Sequence, residues 1–457
     1  MQELVKLTEK EFLTGLSATQ HLSTGGLFKN MSGLTTTRDY RLLNSDLGIL
    51  QAHNTLTQVL NINNKALSYT TDENNAYIST TDGIYKISNT NIAVATQLFS
   101  NINLTGDMEI FSPKDTNIKN LLYAQNNAIG LYGDLNGAPT NNDTWFTTGI
   151  ENTSIRPMHK LWDEVYFGNK NKIGRIKDDL NGGMLQESNV LDFENTMHVT
   201  AISDDGEYLV VGLVDNTDIH QKGKTIIRFW QINQPSWTYE YELPEAYIYD
   251  IKRVGNVVYI LSPNGLYYTA RGTAPRMIIP LNLNTESNIQ RIGDAVIFPY
   301  GKNVTSFGKI FHEIPTAWHS LAYSVNEINK VFSGINNNYF YISTSVGLFL
   351  NNLDTTTRQI GTADTLYMQL GVSAHITAIE VILAEPMQIA DEFSIHISRY
   401  HNEPYKLYKT AKGSVYKSRK IFLSKSGIND VTQLSLRFEI KGNVKIRQVI
   451  VYGDIQS

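Results

Sequence analysis

The segment NAYISTTDGIYKI, residues 75–87, is the pattern from which the fold can be inferred, because copies of it recur along the chain. Residues 338–350 read NYFYISTSVGLFL, and residues 257–269 read VVYILSPNGLYYT. Each copy has an apolar stretch rich in β-branched and aromatic residues, a short polar turn with glycine, and a second apolar stretch. This pattern predicts a β-hairpin in which glycine supplies a positive φ at the turn.

Weaker copies fill the intervals between these three. The turns of the seven copies fall at Gly83, Ala128, Lys172, Lys224, Gly265, Asn303 and Gly347, with a mean spacing of 44 residues. A repeat of roughly 40–50 residues made of strands and turns is typical of β-propeller blades, which bury their faces against neighbouring blades. We therefore predict an all-β fold with a seven-bladed β-propeller over residues 56–357. A two-sheet sandwich of similar hairpins is the alternative, and the regular period favours the propeller.

The N-terminal residues 1–55 differ from the repeats. Thr8 and Glu11 have capping-box spacing, and Phe12, Leu13 and Leu16 share one helical face, so a short helix is predicted within residues 1–20. A Gly- and Ser-rich lead-in and an extended arm follow, as far as Gln51. This arm is a candidate for the strand that closes the ring of blades.

The C-terminal residues 358–457 also leave the repeat. They alternate between apolar and polar residues in six or more short stretches, which predicts a β-sandwich. From Arg358 to the C-terminus there are 13 Lys and Arg against 9 Asp and Glu, a net charge of +4. Because the whole chain carries −5, the remainder carries −9.

Composition excludes several classes of function. The 457 residues include no cysteine, so a disulfide framework and thiolate chemistry are absent. The net charge of −5 argues against binding of nucleic acid by the protein as a whole. No stretch of 18 apolar residues predicts a membrane span, and the acidic N-terminus does not resemble a secretory signal.

Motifs for catalysis are not found. The ten histidines form no metal-ligand motif, and the five-residue spacing of His396 and His401 is only a weak metal signal. No nucleophile elbow or phosphate-binding loop occurs, so we predict no enzyme activity, no metal site and no cofactor. Propeller glycosidases place carboxylates on the innermost strands facing the channel, and Asp250 and Asp294 have suitable positions. A propeller glycoside hydrolase therefore stays an alternative, which predicts that replacing Asp250 abolishes turnover.

One stretch is densely basic. Residues 405–425, here called the basic segment, hold seven Lys and Arg, no acid, and interleaved tyrosines. Its candidate partner-contact residues are Lys406, Tyr408, Lys409, Lys412, Lys417, Arg419 and Lys420. Such a segment suits contact with an acidic protein or nucleic acid, and the alternative is a solvated hairpin.

The order of these parts resembles the propeller-bearing tail hub or nozzle proteins of short-tailed, podovirus-like bacteriophages. The resemblance rests on three features: the Gly-rich arm STGGLFKN at residues 23–30, the irregular blades after RDYRLLNSDLG, and the closing strand VKIRQVIVYGD at residues 444–454. It covers most of the chain as architecture.

The resemblance implies a structural protein of the virion tail, located below the portal and adaptor proteins. It implies a homo-hexameric ring around a conduit for double-stranded DNA, which retains the packaged genome and docks tail fibres or spikes. A net-acidic propeller suits such a wall, because tight phosphate contacts would slow DNA passage. Charge reversal of Lys417, Arg419 and Lys420 is expected to weaken assembly. The alternative is a surface module that recognises a host glycan or receptor.

Overall fold

The computed structural model is all-β. It describes residues 2–8, 28–32, 34–37, 49–52, 55–61, 66–114, 116–179, 181–215, 224–283, 287–293, 295–300, 303–310, 314–322, 328–336, 338–352, 360–400 and 403–455. No helix occurs within these ranges. The strands form seven four-stranded antiparallel sheets and one ten-stranded sheet.

The seven small sheets, numbered I to VII, are consecutive along the chain. Sheet I comprises β6 (Ala66–Thr71), β7 (Asn75–Thr80), β8 (Gly83–Ser88) and β9 (Asn91–Ser100); sheet II, β10 (Leu104–Phe111), β11 (Asn120–Gln125), β12 (Ile129–Gly133) and β13 (Thr140–Phe146); sheet III, β14 (Met158–Leu161), β15 (Glu164–Asn169), β16 (Lys172–Asp178) and β17 (Met184–Asp192); sheet IV, β18 (Met197–Asp204), β19 (Leu209–Asp215), β20 (Thr225–Trp230) and β21 (Tyr239–Leu243); sheet V, β22 (Asp250–Val254), β23 (Val257–Ser262), β24 (Gly265–Thr269) and β25 (Arg276–Pro280); sheet VI, β26 (Gln290–Ile292), β27 (Ala295–Tyr300), β28 (Asn303–Ile310) and β29 (Ile314–Ala322); and sheet VII, β30 (Ile328–Ser333), β31 (Tyr339–Thr344), β32 (Gly347–Asn352) and β5 (Thr57–Leu60).

Buried apolar side chains join each sheet to the next. Among the described residues, each neighbouring pair of sheets shares one such cluster. A further cluster, with Ile78 and Tyr341, joins sheet VII back to sheet I. A β-sheet with two apolar faces must bury both of them, and stacking the sheets around a closed ring buries each face against a neighbouring sheet. The prediction of a β-propeller is confirmed.

The predicted hairpins fall where the repeat placed them. Every one of the seven turn positions is the first residue of the third strand of its sheet or the residue just before it. In the three closest copies a hydroxyl donates a hydrogen bond to the glycine carbonyl: Thr80 to Gly83 (3.1 Å), Ser262 to Gly265 (2.8 Å) and Thr344 to Gly347 (3.3 Å). The shared Ser/Thr-x-x-Gly pattern thus closes the same turn in each of these sheets.

The glycines at these turns are needed for space. A β-carbon on Gly83 would lie 2.4 Å from the carbonyl oxygen of Phe99, and one on Gly347 would lie 2.6 Å from that of Leu60. In both cases the approaching oxygen belongs to the neighbouring outermost strand of the sheet. The predicted positive φ holds for Gly83 (158°) and Gly347 (155°) but not for Gly265, so the close contact is the better reason for glycine at the first two turns.

The ten-stranded sheet, here called the terminal sheet, is built from both ends of the chain. It comprises β1 (Gln2–Leu7), β2 (Phe28–Ser32), β3 (Leu34–Thr37), β4 (Ile49–Ala52), β33 (Ile360–Thr365), β34 (Met368–Leu383), β35 (Glu392–Ser398), β36 (Lys406–Lys412), β37 (Lys420–Lys441) and β38 (Lys445–Ile455). The first part of β37 pairs with β34, and its last part pairs with β33 and β35. One apolar core, with Leu423, Phe438 and Val449, lies within it.

Two expectations for the N-terminal arm are corrected. Residues 2–7 form a strand instead of a helix, because they pair with the last strand, Leu7 opposite Val449, and Leu7 enters the terminal core. This non-local pairing outweighs local helix signals. Residues 12–16 of the predicted helix lie outside the described residues. Of the described strands of the arm, β2 pairs with β33 and β4 pairs with β38, and the strand that completes sheet VII is the next one, β5.

The strand count at the C-terminus also differs from the prediction. Two of the strands, β34 and β37, are 16 and 22 residues long, whereas the alternating pattern predicts only short stretches. The strand Lys406–Lys412 lies within the basic segment and pairs with β35, whereas a partner contact or a solvated hairpin was predicted there. Long strands carry bulges, and the register of β34 against β37 shifts between Gln369 and Ala374 and again up to Ala378. Such bulges interrupt the alternation that marks a strand in the sequence.

Candidate functional site

Tyr408 does not belong to an exposed contact patch. Its side chain is 2% exposed and lies in the terminal core, and its hydroxyl donates to the carbonyl oxygens of Thr377 (3.2 Å) and Leu423 (3.3 Å). In β36, Tyr408 and Ala411 are buried while Lys406 and Lys412 are exposed. The prediction for Tyr408 is wrong because the register of β36 against β35 shifts at this position, with Lys409 opposite Ile395 and Leu407 opposite His396, so Tyr408 is the bulged residue and its side chain enters the core.

Most of the lysines in the patch already have partners. Lys406 pairs with Glu403 (3.2 Å), Lys412 with Glu392 (3.8 Å) and Lys420 with Glu380 (2.7 Å). Glu403 and Glu380 are themselves buried. The ion pairs with Arg399 and Lys406 lower the pKa of Glu403 to about 2, chiefly through the hydrogen bond from Arg399. These lysines neutralise carboxylates of their own domain, which weakens the electrostatic case for an acidic partner.

The remaining members of the patch serve the edge of the sheet or face solvent. Lys409 Nζ donates to Ser424 O (2.9 Å) and Lys417 Nζ to Gly413 O (2.8 Å). Within the described part of the chain, β36 pairs only with β35, so it is an edge strand. Lysines on an edge strand commonly prevent it from pairing with strands of other molecules. Arg419 is exposed and has no described side-chain partner. The surface that stays open to a partner is therefore the Lys417–Arg419 turn.

The second candidate site is the channel on the propeller axis. A cavity of about 370 Å³ is lined by residues of the innermost strand of every sheet. Its charged lining comprises Asp107, Glu109, Arg156, His159, Asp250, Lys252 and Lys330. Asp250 faces the channel as predicted, whereas Asp294 lies outside the described residues. The channel lining contains three carboxylates against two lysines and one arginine, so these charges balance and its electrostatic field has no strong single sign.

Burial in this channel disfavours the charged carboxylates. Desolvation raises the pKa of both Asp107 and Glu109 in spite of nearby positive charges. The pKa of Asp250 is raised to about 6, first by burial and further by the charge of Asp107. Asp250 accepts hydrogen bonds from the amides of Ile251 (2.8 Å) and Ile289 (3.0 Å), which hold the side chain in place. A carboxylic acid poised near neutral pH is suited to proton transfer or to hydrogen bonding of a polar ligand.

This environment predicts an unusual dependence of stability on pH. Because the folded-state pKa of Asp250 exceeds the unfolded value of 3.8, its ionisation above pH 6 costs stability, and this cost disappears as the pH falls. With about 1.4 kcal/mol per pH unit, the free energy of unfolding of Asp250→Asn minus that of the wild type should grow by about 2–3 kcal/mol between pH 4 and pH 8. Urea unfolding at both pH values measures it, and the lost hydrogen bond cancels in the comparison. A difference that stays constant would contradict this assignment.

Asp204 ties three innermost strands together. Its Oδ2 lies 2.8 Å from His159 Nε2 of sheet III, and its Oδ1 accepts a hydrogen bond from Arg253 of sheet V. Although burial acts to raise the pKa of Asp204, the bonds to His159 and Arg253 lower it overall. The neighbouring Asp205 accepts the amides of Glu207 (3.0 Å) and Tyr208 (2.8 Å), as expected of a turn. Asp204 and Asp205 therefore hold the geometry of neighbouring strands and of the turn between β18 and β19.

Sequence reasoning missed Asp107, Glu109, Lys252 and Lys330. Their position relative to the repeat could have identified them. The strand that precedes each hairpin repeat is the innermost strand of its sheet, and its alternate side chains face the channel. No group of three or more His, Cys, Asp and Glu suited to a metal ion occurs among the described residues. No helix long and apolar enough to cross a membrane occurs in the same part of the chain.

Comparison with known proteins gives a likeness of fold. No family model matches the sequence, and no curated protein matches it. The extracellular domain of a putative hybrid two-component system from B. thetaiotaomicron is similar, with a TM-score of 0.50 and 12% identity over 83% of this chain and 57% of that chain. The computationally designed Ika8 protein has a TM-score of 0.43 at 11% identity, covering 65% of this chain and 99% of that chain.

PorZ, a surface component of the type-IX secretion system of Porphyromonas gingivalis, has a TM-score of 0.44 at 13% identity. It is matched over 70% of this chain and 44% of that chain. At these identities the likeness concerns the fold alone.

Proposed function

We propose that this protein is a structural, non-catalytic subunit of a short-tailed bacteriophage tail, in the hub or nozzle below the portal and adaptor. One observation carries the proposal. The propeller is inserted between two halves of the terminal sheet, leaving after β4 and returning at β33. In addition, β29 of sheet VI lies beside β2 and β3. A propeller attached by both chain ends and by a lateral contact is suited to a rigid wall of a particle.

The finer architecture belongs to this proposal. The seven four-stranded sheets and the seven apolar clusters between neighbours support a seven-bladed ring, closed by β5. The shared strand β37, which pairs with β34 in one part and with β33 and β35 in another, supports a C-terminal β-sandwich. In a homo-hexamer these units would surround the DNA path and present their outer faces to fibres or spikes.

The first experiment is immunogold electron microscopy of intact virus particles from the source, with an antibody raised against the purified protein. Label at the tail vertex is the expected result. Label spread over the capsid would favour a surface binding module, and particles without label would overturn the tail proposal. Pre-absorbing the antibody with the purified protein is the control for specificity.

A variant of the basic segment tests assembly, and the structure decides which residues to change. Reversal of Lys420 would set a new carboxylate against the buried Glu380, so it would damage the fold as well as any contact. Lys417→Glu together with Arg419→Glu avoids this problem. We expect this double variant to fold normally and to reduce incorporation into tails at least threefold, measured by quantitative immunoblot of purified particles. Normal incorporation would remove the Lys417–Arg419 turn from the assembly surface.

A second candidate is recognition of a neutral glycan in the channel. The observation that favours it is the polar cavity, where carboxylates and lysines alternate with Tyr249 and Phe332. Neutral hydroxyl-rich ligands suit such a nearly balanced lining better than phosphates or polycations. Calorimetric titration with a panel of host oligosaccharides tests it, and loss of binding in Asp107→Ala and Lys330→Ala would place the sugar there. A hydrolase would in addition show turnover that depends on Asp250.

A further inference from the structure

Trp162 takes a backbone conformation that other sheets assign to glycine. It opens the two-residue turn between β14 and β15, where Leu161 pairs with Glu164. The same turn occurs after Val254 and after Ile292, and Gly255 and Gly293 stand first in it. The φ angles are 55° for Trp162, 63° for Gly255 and 59° for Gly293. This left-handed region suits glycine and is unfavourable for a residue with a β-carbon.

The fold gains little packing from this tryptophan. Its side chain is 62% exposed, whereas Trp230 of sheet IV is 1% exposed and lies in the core. A large aromatic side chain that is both exposed and held in an unfavourable conformation indicates a role outside the fold. Tryptophan is also among the residues that most often dominate the binding energy of protein interfaces.

The base of the turn is rigid. Asp204 holds His159, three residues before Trp162, and at the same time Arg253 of sheet V. A β-carbon on Gly206 would lie 2.7 Å from Arg253 Nη2, so the guanidinium packs closely over this neighbouring turn. A side chain displayed from such a fixed base loses little conformational entropy on binding.

Basic residues recur around this end of the channel. Lys160, Arg253 and Arg291 occupy the same register position in three sheets, each opposite a valine of the second strand: Val165, Val258 and Val296. Arg253 is committed to Asp204, while Lys160 and Arg291 are exposed. Asp163 and Glu207 are exposed at the same turns, so the surface is not uniformly positive.

From these observations we infer that Trp162 is the anchor of a protein–protein contact at this end of the propeller. The partner is a neighbouring virion protein with an apolar pocket bordered by carboxylates that face Lys160 and Arg291. The choice of a virion protein rests on the proposed function. A protruding single tryptophan fits a pocket in a partner, and the interspersed acids Asp163 and Glu207 disfavour an anionic membrane.

The test uses Trp162→Gly, which places the residue of the equivalent turns at this position. A virus lacking the gene is complemented in trans with the wild type, with Trp162→Gly or with the control Tyr268→Ser, which alters another half-exposed aromatic residue of the propeller, 37% exposed. We expect Trp162→Gly to reduce infectious particles per physical particle at least tenfold. The control should stay within twofold of the wild type. The melting temperature of purified Trp162→Gly should be unchanged or raised by about 1–3 °C.

The outcomes separate the two proposals. If the wild-type protein is absent from virus particles, the proposed tail function is overturned, and so is the proposal of a virion partner for Trp162. Wild-type protein present at the tail, with Trp162→Gly fully active, overturns the anchor alone. A fall of more than about 5 °C in melting temperature would show that Trp162 packs on its own chain. Co-sedimentation with vesicles of phosphatidylglycerol and phosphatidylethanolamine that is lost in Trp162→Gly would assign the side chain to a membrane instead.

Discussion

Replacing Gly347 by alanine is expected to lower the free energy of unfolding by about 2–3 kcal/mol, since the added methyl group overpacks a closed contact. Its β-carbon would lie 2.6 Å from the carbonyl oxygen of Leu60 and 2.8 Å from the amide nitrogen of the Gln58 side chain. Both residues belong to β5, the strand that completes sheet VII. To make room for the methyl group, β5 must move away from position 347, and only a few residues pair it with the rest of sheet VII. Urea denaturation of the purified variant measures the loss.

Two further variants make this prediction specific to ring closure. Gly133→Ala is the control, because the nearest atom to its β-carbon lies 3.3 Å away and its cost should stay below about 1 kcal/mol. Gly83→Ala meets Phe99 in a sheet made of one continuous segment, so it should destabilise without detaching a strand. Limited proteolysis between β4 and β6 should accelerate in Gly347→Ala only. Equal protection in all three variants would mean that β5 does not close the ring.

The propeller was predictable because its signal is local and repeated. Each hairpin carries its own turn, its own apolar strands and, in three copies, a hydroxyl that bonds the glycine carbonyl three residues later. These features lie within about 13 residues, so alignment of copies reveals them without knowledge of the fold. The inner strands are less similar between copies because their side chains face a shared channel, and this is where Asp107 and Glu109 were missed.

The terminal sheet was less predictable because its pairings are distant in sequence. The helix expected near the N-terminus is wrong for residues 2–7 because Val5 and Leu7 pair with Val451 and Val449, more than four hundred positions later. The basic segment was misjudged for a related reason. Whether Lys406 or Lys420 is free depends on where Glu403 and Glu380 lie, and Glu380 belongs to a different strand, β34.

One buried guanidinium joins sheet IV to the segment that connects it with sheet III. Arg228 is 2% exposed, and its guanidinium lies 3.6 Å from the ring centroid of Trp237. It donates hydrogen bonds to the carboxylate of Glu194 at 2.5 and 2.7 Å and to that of Glu240 at 2.8 Å. The glutamates are about half exposed, so they regain water if the arginine is removed. If the glutamates are removed instead, the buried guanidinium cannot regain water and its charge stays without a partner.

This asymmetry predicts an order of stability. Arg228→Met keeps much of the stem and should cost about 1 kcal/mol, whereas Arg228→Ala also opens a gap beside Trp237 and should cost about 3 kcal/mol. The double variant Glu194→Gln and Glu240→Gln leaves the buried charge uncompensated, so it should cost more than Arg228→Met, about 2–4 kcal/mol. Urea denaturation at pH 7 gives the three values. A double variant milder than Arg228→Met would show that the guanidinium is hydrated.

The same cluster should respond to acid in a defined direction. The hydrogen bond from Arg228, with its charge, lowers the pKa of Glu194 below its usual value of 4.5. A depressed carboxyl pKa stabilises the folded state above the unfolded pKa, and this contribution is lost as the pH falls through the folded one. The difference in unfolding free energy between the wild type and Arg228→Met should therefore shrink below about pH 4. The ionisation of Asp250 lowers the stability of the folded state as the pH rises. The free energy of unfolding is therefore expected to pass through a maximum in mildly acidic solution.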